Sequence, residues 1–410
     1  MATVRTAPLI VAALFALTAC NRVRRWRHRR HTVTAASVDP RAQRATACWD
    51  PRFVSGQRVD AIGMPHGALP ALAAGPRGAA LAYRSDDGLK LVVDGEATRH
   101  LDDDASVDAL SLVPGPAEWY LVAHHPGDDH WSLRDTRGRV WRGPPGLLSL
   151  RAVATPEGLY AVGHTPQRVL VFALDAALAP RGRPRSVDEA AVDVDIVNMA
   201  GRPWALWSRN VGGAGQLRAA RVGDAGLDVM TLLARTTSVG LLQGAVGGAR
   251  LAVAFSDHDT GGLSLNVATF SRSGRVGATV ERLSARFAPD ARASLAWDGG
   301  AFGVAWSEPV SGGDPRGFAA LVDPQAMRLG HAMRVQTETP VGLTGGALVW
   351  RPNGYRIAFA RSDHRVDLRD VGPRLCDPPI DPRLVPDPAT PRDARFGAHS
   401  APEALTAGQM

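Results

Sequence analysis

The sequence predicts an all-β fold assembled from repeats, and three observations lead to this prediction. Apolar segments of about four to eight residues alternate with turns rich in Gly, Pro and Asp, the pattern of strands joined by tight connections. No long segment shows the 3.6-residue periodicity of a helix. From residue 60 onward one pattern recurs: a strand, a Gly-containing turn, then a strand that ends in a small residue followed by an aromatic residue or His.

The repeat occurs seven times. Its clearest copies are Ser294–Ser307 and Leu348–Phe359. The seven copies end at Tyr83, His124, His164, Trp207, Phe255, Trp306 and Phe359, which are 40 to 53 residues apart. Self-similarity at this period is typical of propeller blades that contain four strands each. The sequence therefore predicts a seven-bladed β-propeller, whereas a two-sheet sandwich would not show seven copies of one motif.

The sixth repeat shows all four predicted strands, Ala293–Trp297, Phe302–Ser307, Phe318–Val322 and Leu329–Val335. The seventh repeat supplies only three strands before the chain becomes rich in proline. The segment Arg52–Asp60 is strand-like and has no blade of its own. We therefore expect it to supply the missing outer strand and to close the ring, which leaves no sheet edge unpaired.

The seventh copy also resembles a known repeat. Trp350, Pro352, Gly354 and the run Ile357-Ala358-Phe359 are similar to the Trp-Ser-Pro-Asp-Gly-Lys-x-Ile-Ala-Phe repeat of TolB-type and WD-repeat-like propellers, from which Arg351 and Asn353 depart. The resemblance covers one blade well and the sixth in part. It implies the propeller fold and no particular activity, because propellers carry many functions.

The N-terminus predicts export and lipidation. Arg5, an apolar run and Leu17-Thr18-Ala19-Cys20 follow one another, and the last four residues resemble the lipobox of bacterial lipoproteins. The resemblance implies cleavage before Cys20 and a lipid on its sulfur, and Asn21 favours the outer over the inner membrane. An uncleaved anchor is the alternative, but the apolar run is shorter than the roughly 20 residues of a spanning helix.

Positive charge is concentrated beside this motif. Residues 1–30 contain seven arginines and no acid, so the rest of the chain balances 40 basic against 40 acidic residues. A neutral body argues against nucleic acid as a partner. The basic run Arg22–Arg30 is expected either to bind the membrane surface beside the lipid or to remain a solvated linker.

These features predict four segments: a signal peptide at residues 1–19, a lipidated and basic tether at 20–47, a propeller at 48–376 and a disordered tail at 377–410. The tail contains seven prolines and few large apolar residues.

The predicted innermost strands contain no acid, His or Lys, so the channel is expected to lack catalytic groups. These strands are 69–74, 109–113, 152–155, 196–200, 244–247, 293–297 and 347–350. Charged residues precede several strands and also occupy loops that open on the same face. These candidate ligand-face residues are Asp108, Arg151, Asp195, Asp290, Arg292, Asp128, Asp129, Asp257 and Asp259. The alternative is that they are ordinary solvated charges.

Neither a metal nor a cofactor is predicted, because the His and Asp spacings in these loops match no metal motif and no nucleophile or phosphate-loop motif occurs. The leading hypothesis is a non-catalytic, membrane-anchored envelope module that binds a protein or a polysaccharide. The alternative is an envelope carbohydrate-active hydrolase or lyase, which would need a pair of carboxylates.

A disulfide between Cys48 and Cys376 is the last expectation. Lipidation would consume Cys20, and these are the two remaining cysteines of the chain. If Arg52–Asp60 closes the ring beside the last strand of the seventh repeat, both cysteines lie near the same corner. An exported protein meets an oxidising compartment, in which such pairs form disulfides.

Overall fold

Antiparallel sheets make up the whole of the regular structure in the described part of the chain. The computed structural model describes residues 48–49, 55–60, 70–223, 226–259, 261–288, 291–309, 315–335, 341–351, 354–361, 365–371 and 373–374. Seven sheets have four strands each, and an eighth pairs Cys48–Trp49 with Pro373–Arg374. None of the residues in these ranges forms a helix of the length and hydropathy needed to cross a membrane.

Each four-stranded sheet is one blade, and six of the seven are formed by consecutive strands. From the innermost strand outward, blade 1 consists of Ala71–Gly75, Gly78–Ser85, Gly88–Val93 and Arg99–Asp102. Blade 2 consists of Ala109–Pro114, Trp119–His125, His130–Asp135 and Val140–Arg142. Blade 3 consists of Ser149–Thr155, Gly158–His164, Val169–Leu174 and Arg185–Val187. In the same order, blade 4 consists of Asp193–Met199, Arg202–Val211, Ala214–Gly223 and Gly226–Arg235. Blade 5 consists of Ser238–Gly247, Arg250–Asp259, Gly262–Ser271 and Val276–Ser284. Blade 6 consists of Ala293–Trp297, Phe302–Glu308, Arg316–Val322 and Arg328–Arg334.

Blade 7 joins the two ends of the chain. Its strands are Val341–Arg351, Gly354–Arg361, Arg365–Val371 and, outermost, Ser55–Asp60. The innermost strands of successive blades contact one another, and blade 7 contacts blade 1, so the sheets form a closed ring. The predicted seven-bladed propeller and its closure by an N-terminal strand are therefore confirmed.

Seven apolar clusters hold the ring together, one between each pair of neighbouring blades. Trp207, which ends the fourth repeat, is fully buried between blades 3 and 4, and Trp306 has the same position between blades 5 and 6. The repeat ends in aromatic residues because the end of each second strand faces a neighbouring sheet.

The meander gives the ring two faces. The innermost strand begins, and the second strand turns into the third, on the face that we call the upper face; the opposite face is the lower face. Cys48–Trp49 and Pro373–Arg374 pair where the third strand of blade 7 has ended and the fourth has yet to begin. The chain thus joins and leaves the propeller on the lower face.

Candidate functional site

A rim of exposed residues surrounds the upper end of the channel. Asp108, Leu148 and Val192 each precede an innermost strand, and their amides donate to the carbonyl oxygens of the second strands beside them at 3.4, 2.8 and 2.8 Å. Arg292 precedes the innermost strand of blade 6 in the same way. Leu148 is 58% and Val192 48% exposed, and the Arg292 side chain is 47% exposed. We call these four residues the channel rim.

Charged side chains continue just inside the rim. Arg151 lies on the innermost strand of blade 3, and Asp193 and Asp195 lie on that of blade 4. Nη1 of Arg292, from blade 6, lies 3.9 Å from Oδ1 of Asp193, so this contact passes over blade 5 and spans part of the channel. The expectation of a channel without acidic groups is therefore wrong. Arg151 and Asp195 lie within innermost strands that begin three residues earlier than predicted.

Asp195 also joins two blades. Its Oδ2 accepts a hydrogen bond from the amide of Gly244 in blade 5 at 2.6 Å, and its Oδ1 accepts one from the amide of Ile196 at 2.9 Å. A Cβ at Gly244 would lie 2.5 Å from Cδ1 of Leu206, so a larger residue would require this side chain to move. Equivalent bonds run from Leu295 to Oε1 of Gln243 and from Leu348 to Oγ of Ser294. Asp195 is therefore one link in a series that connects innermost strands.

The protein surroundings shift the acid–base behaviour of this cluster. Burial raises the pKa of Asp193, against the positive charges of Arg292 and Arg151. Burial also raises the pKa of Asp195, against the Gly244 hydrogen bond and Arg151. Burial lowers the pKa of Arg151, and Arg292 lowers it further while Asp195 opposes the shift. The carboxylates are thus easier to neutralise than ordinary surface acids.

A second polar cluster lies on the upper face of blade 2. Nδ1 of His124 lies 2.7 Å from Oδ1 of Asp108, and Nδ1 of His125 lies 2.5 Å from Oδ2 of Asp104. The ring of His130 stacks on that of His125 with centroids 4.5 Å apart. Burial lowers the pKa of His130, and the neighbouring His125 lowers it further. Within the described ranges, no three side chains of His, Cys, Asp or Glu are grouped so that they could hold a metal ion.

The remaining sequence-predicted residues have different environments. Asp128 and Asp129 are well exposed in the turn after the second strand of blade 2. Asp257 is buried within the second strand of blade 5, where its carboxylate accepts a hydrogen bond from Thr237. Asp259 ends that strand and pairs with Arg282. Asp257 therefore has a structural environment and is not part of an open loop. Asp290 lies outside the described residues.

The lower end of the channel is chemically different. A cavity of about 600 Å³ opens there, and among the residues that line it in the described structure none is charged. The lining includes Pro76, Pro114, Pro116 and Pro156. The described lining of this cavity therefore offers no ionisable group to a charged ligand, in contrast to the upper end of the channel.

Three residues at the upper end of the channel, Asp193, Leu148 and Val192, are not among the candidates that the sequence predicted. Asp193 was overlooked because the strand of blade 4 was predicted to begin at Ile196, although its i, i+2 spacing from Asp195 places both on one side of a strand. Leu148 and Val192 are apolar, so they do not stand out among the charged residues that precede the strands. Their position directly before an innermost strand, shared with Asp108 and Arg292, was the available signal.

Comparisons with known proteins agree with the fold. The chain is similar to virginiamycin B lyase from Staphylococcus aureus (TM-score 0.50, 11% identity, 77% of this chain and 99% of that chain) and to Kuenenia stuttgartiensis hydrazine synthase (TM-score 0.52, 11% identity, 78% and 99%). It is also similar to a streptogramin B lyase (TM-score 0.51, 9% identity, 78% and 98%). No protein-family model and no curated protein sequence matches the chain. At these identities the likeness is one of fold: the chain is a seven-bladed β-propeller.

Proposed function

We propose that this chain is a cell-envelope lipoprotein whose propeller is a non-catalytic module that binds a partner at the channel rim. Export and lipidation rest on the lipobox-like Leu17–Cys20 and on the basic run Arg22–Arg30. Both segments lie outside the described residues, so this part of the proposal depends on the sequence alone.

One observation carries the binding function. At the upper end of the channel, two exposed aliphatic side chains and an exposed guanidinium belong to one rim, and a charged cluster lies just inside it. Scattered apolar residues are common on protein surfaces, but Arg is enriched at the centres of interfaces, and here an exposed Arg shares one rim with exposed apolar side chains. The chain joins and leaves the propeller on the lower face, opposite the rim.

The alternative function is an envelope carbohydrate-active hydrolase or lyase. The pair Asp193 and Asp195 favours it, since glycoside cleavage uses two carboxyl groups, of which the general acid has a raised pKa. The hydrogen bonds of Asp195 oppose it. Both of its oxygens accept backbone amide hydrogens, an arrangement that fixes the strand and stabilises the charged form.

Binding and turnover measured on the same samples distinguish the two functions. The full chain in detergent is incubated with an array of random 12-residue peptides, with polygalacturonate oligosaccharides and with neutral dextran oligosaccharides. We expect at least one probe class to bind saturably, and we expect mass spectrometry to detect no product.

Leu148→Asp should weaken this binding, because it places a charge on the rim. Val140→Asp is the matched control, since Val140 is also an exposed aliphatic residue but lies on the outermost strand of blade 2. Absence of any rim-dependent binding would contradict the proposal. Product that disappears in Asp193→Asn would establish the enzyme instead.

A further inference from the structure

We infer that the channel rim binds a peptide segment of a protein partner, in which a carboxylate next to an apolar side chain pairs with Arg292 while the apolar side chain packs on Leu148 and Val192. This inference rests on the proposed binding function and specifies the chemistry of the partner. Three properties of the rim support it: its unused hydrogen-bond donors, its uneven distribution of apolar residues, and the charges below it.

The donors of the two arginines are largely unused. Nη1 of Arg151 donates one hydrogen bond, to the carbonyl oxygen of Leu150 at 3.1 Å. Arg292 approaches Asp193 only at 3.9 Å, which is beyond hydrogen-bond distance. No other acceptor among the described residues takes a hydrogen bond from either guanidinium. A planar guanidinium with free N–H groups is suited to a carboxylate, which it can bind through two parallel hydrogen bonds.

The charges favour one carboxylate over a group with higher negative charge. Arg151 and Arg292 come from different blades, and Arg292 lowers the pKa of Arg151, so their positive charges act on each other. Asp193 and Asp195 compensate this charge only in part, because burial favours the neutral form of both carboxyl groups. The cluster can therefore accept additional negative charge, while the nearby Asp193 disfavours a doubly charged anion.

The apolar part of the rim lies on the neighbouring blades 3 and 4. Among the described residues, five large apolar side chains are exposed, and Leu148 and Val192 are two of them at equivalent positions. A third, Val211, is 56% exposed at the end of the second strand of blade 4 and so belongs to the same face. An acidic oligosaccharide would use the arginines and leave these aliphatic groups in water. A peptide uses both.

The test is a selection from random 12-residue peptides against the full chain, followed by affinity measurements on the selected sequences. We expect them to contain Asp, Glu or a free C-terminus next to an aliphatic or aromatic residue. Replacing that carboxylate by its amide should weaken binding about 10- to 100-fold, the range for loss of a charged hydrogen bond.

Variants of the rim provide the second measurement. Arg292→Ala should weaken binding of the selected peptides by the same factor. The affinity of this variant should not change further when the peptide carboxylate is amidated, because the two changes remove one shared interaction. Arg275→Ala is the matched control, since Arg275 is exposed in a turn of blade 5 on the lower face. Val192→Ser should weaken binding about threefold to tenfold through lost apolar contact.

Asp193→Asn tests the sign of the electrostatic argument. Removing a negative charge beside Arg292 should tighten the binding of acidic peptides, and unchanged or weaker binding would contradict the electrostatic argument.

Selected peptides without a carboxylate, or equal affinity for the wild type and Arg292→Ala, would overturn the inference. Rim-dependent binding of polygalacturonate alone would also overturn it, but would leave the proposed binding function intact. If neither peptides nor oligosaccharides bound in a rim-dependent way, the proposed function itself would fail.

Discussion

Closure of the ring by Ser55–Asp60 should account for a large part of the stability of the propeller. Six residue pairs join this strand to the third strand of blade 7, from Ser55 opposite Asp370 to Asp60 opposite Arg365. Six aligned pairs in an antiparallel ladder correspond to about six backbone hydrogen bonds. At about 1 kcal/mol net for each bond, removing the strand costs about 6 kcal/mol. A typical domain is stable by only about 5–15 kcal/mol.

Two trimmed chains test this value by urea unfolding followed through tryptophan fluorescence. A chain of residues 45–410 keeps the closing strand and should unfold like the full chain. A chain of residues 61–410 lacks the strand, leaves the edge of Arg365–Val371 unpaired, and should unfold at much lower urea or aggregate. Adding a synthetic peptide of residues 45–60 should restore part of the lost stability.

Cys48→Ser in the 45–410 chain is the control for a lost disulfide, since trimming to residue 61 also removes Cys48. If residues 61–410 unfold at the same urea concentration as residues 45–410, the closing strand contributes little and the reasoning is refuted.

Three further predictions concern single residues. Cys20→Ala should abolish labelling by palmitate and partitioning into detergent, whereas an unlabelled, soluble wild type would contradict the lipobox interpretation. In the unreduced exported protein, Cys48 and Cys376 should form a disulfide and resist alkylation, which intact mass after alkylation measures. The reason is that Cys48–Trp49 pairs with Pro373–Arg374, and Arg374 is two residues before Cys376 in the chain. Cys376 itself lies outside the described residues. Burial would raise the pKa of Asp104, but hydrogen bonds from His125 and Ser106 hold it at about 2, below its ordinary 3.8. The ionised Asp104 carboxylate thus stabilises the folded state above pH 3.8, and this contribution is lost as the pH falls towards 2. The melting temperature of Asp104→Asn should lie below that of the wild type at pH 6, with a difference that shrinks in this window; a constant difference would show that the hydrogen bond to His125 has no such linkage.

Much of the architecture follows from local sequence. In blade 6 the predicted strand Ala293–Trp297 has the observed bounds, because Asp298 and the glycines after it stop the strand and its apolar residues pack between blades. The closing strand was also predictable. The seventh repeat supplies only three strands, and a strand-like segment before the first blade has no blade of its own, so pairing the two completes a four-stranded sheet. These features depend on turn chemistry and on apolar residues that must be buried, and both can be recognised in the chain itself.

The candidate site depends on the tertiary structure. In the sequence, Asp193 and Arg292 are separated by almost one hundred residues, and only the ring brings them to 3.9 Å across the position of blade 5. Leu148 and Val192 look like core residues in the sequence, yet they lie directly before the innermost strands of blades 3 and 4, at the channel rim, and are exposed there. Asp257 looked like a loop acid but is buried, because the strands of blade 5 extend further than their turn signals suggested. Local patterns determine which segments become strands. Which side chains meet at the channel depends on the number of blades and on where each strand begins, and only the assembled ring sets both.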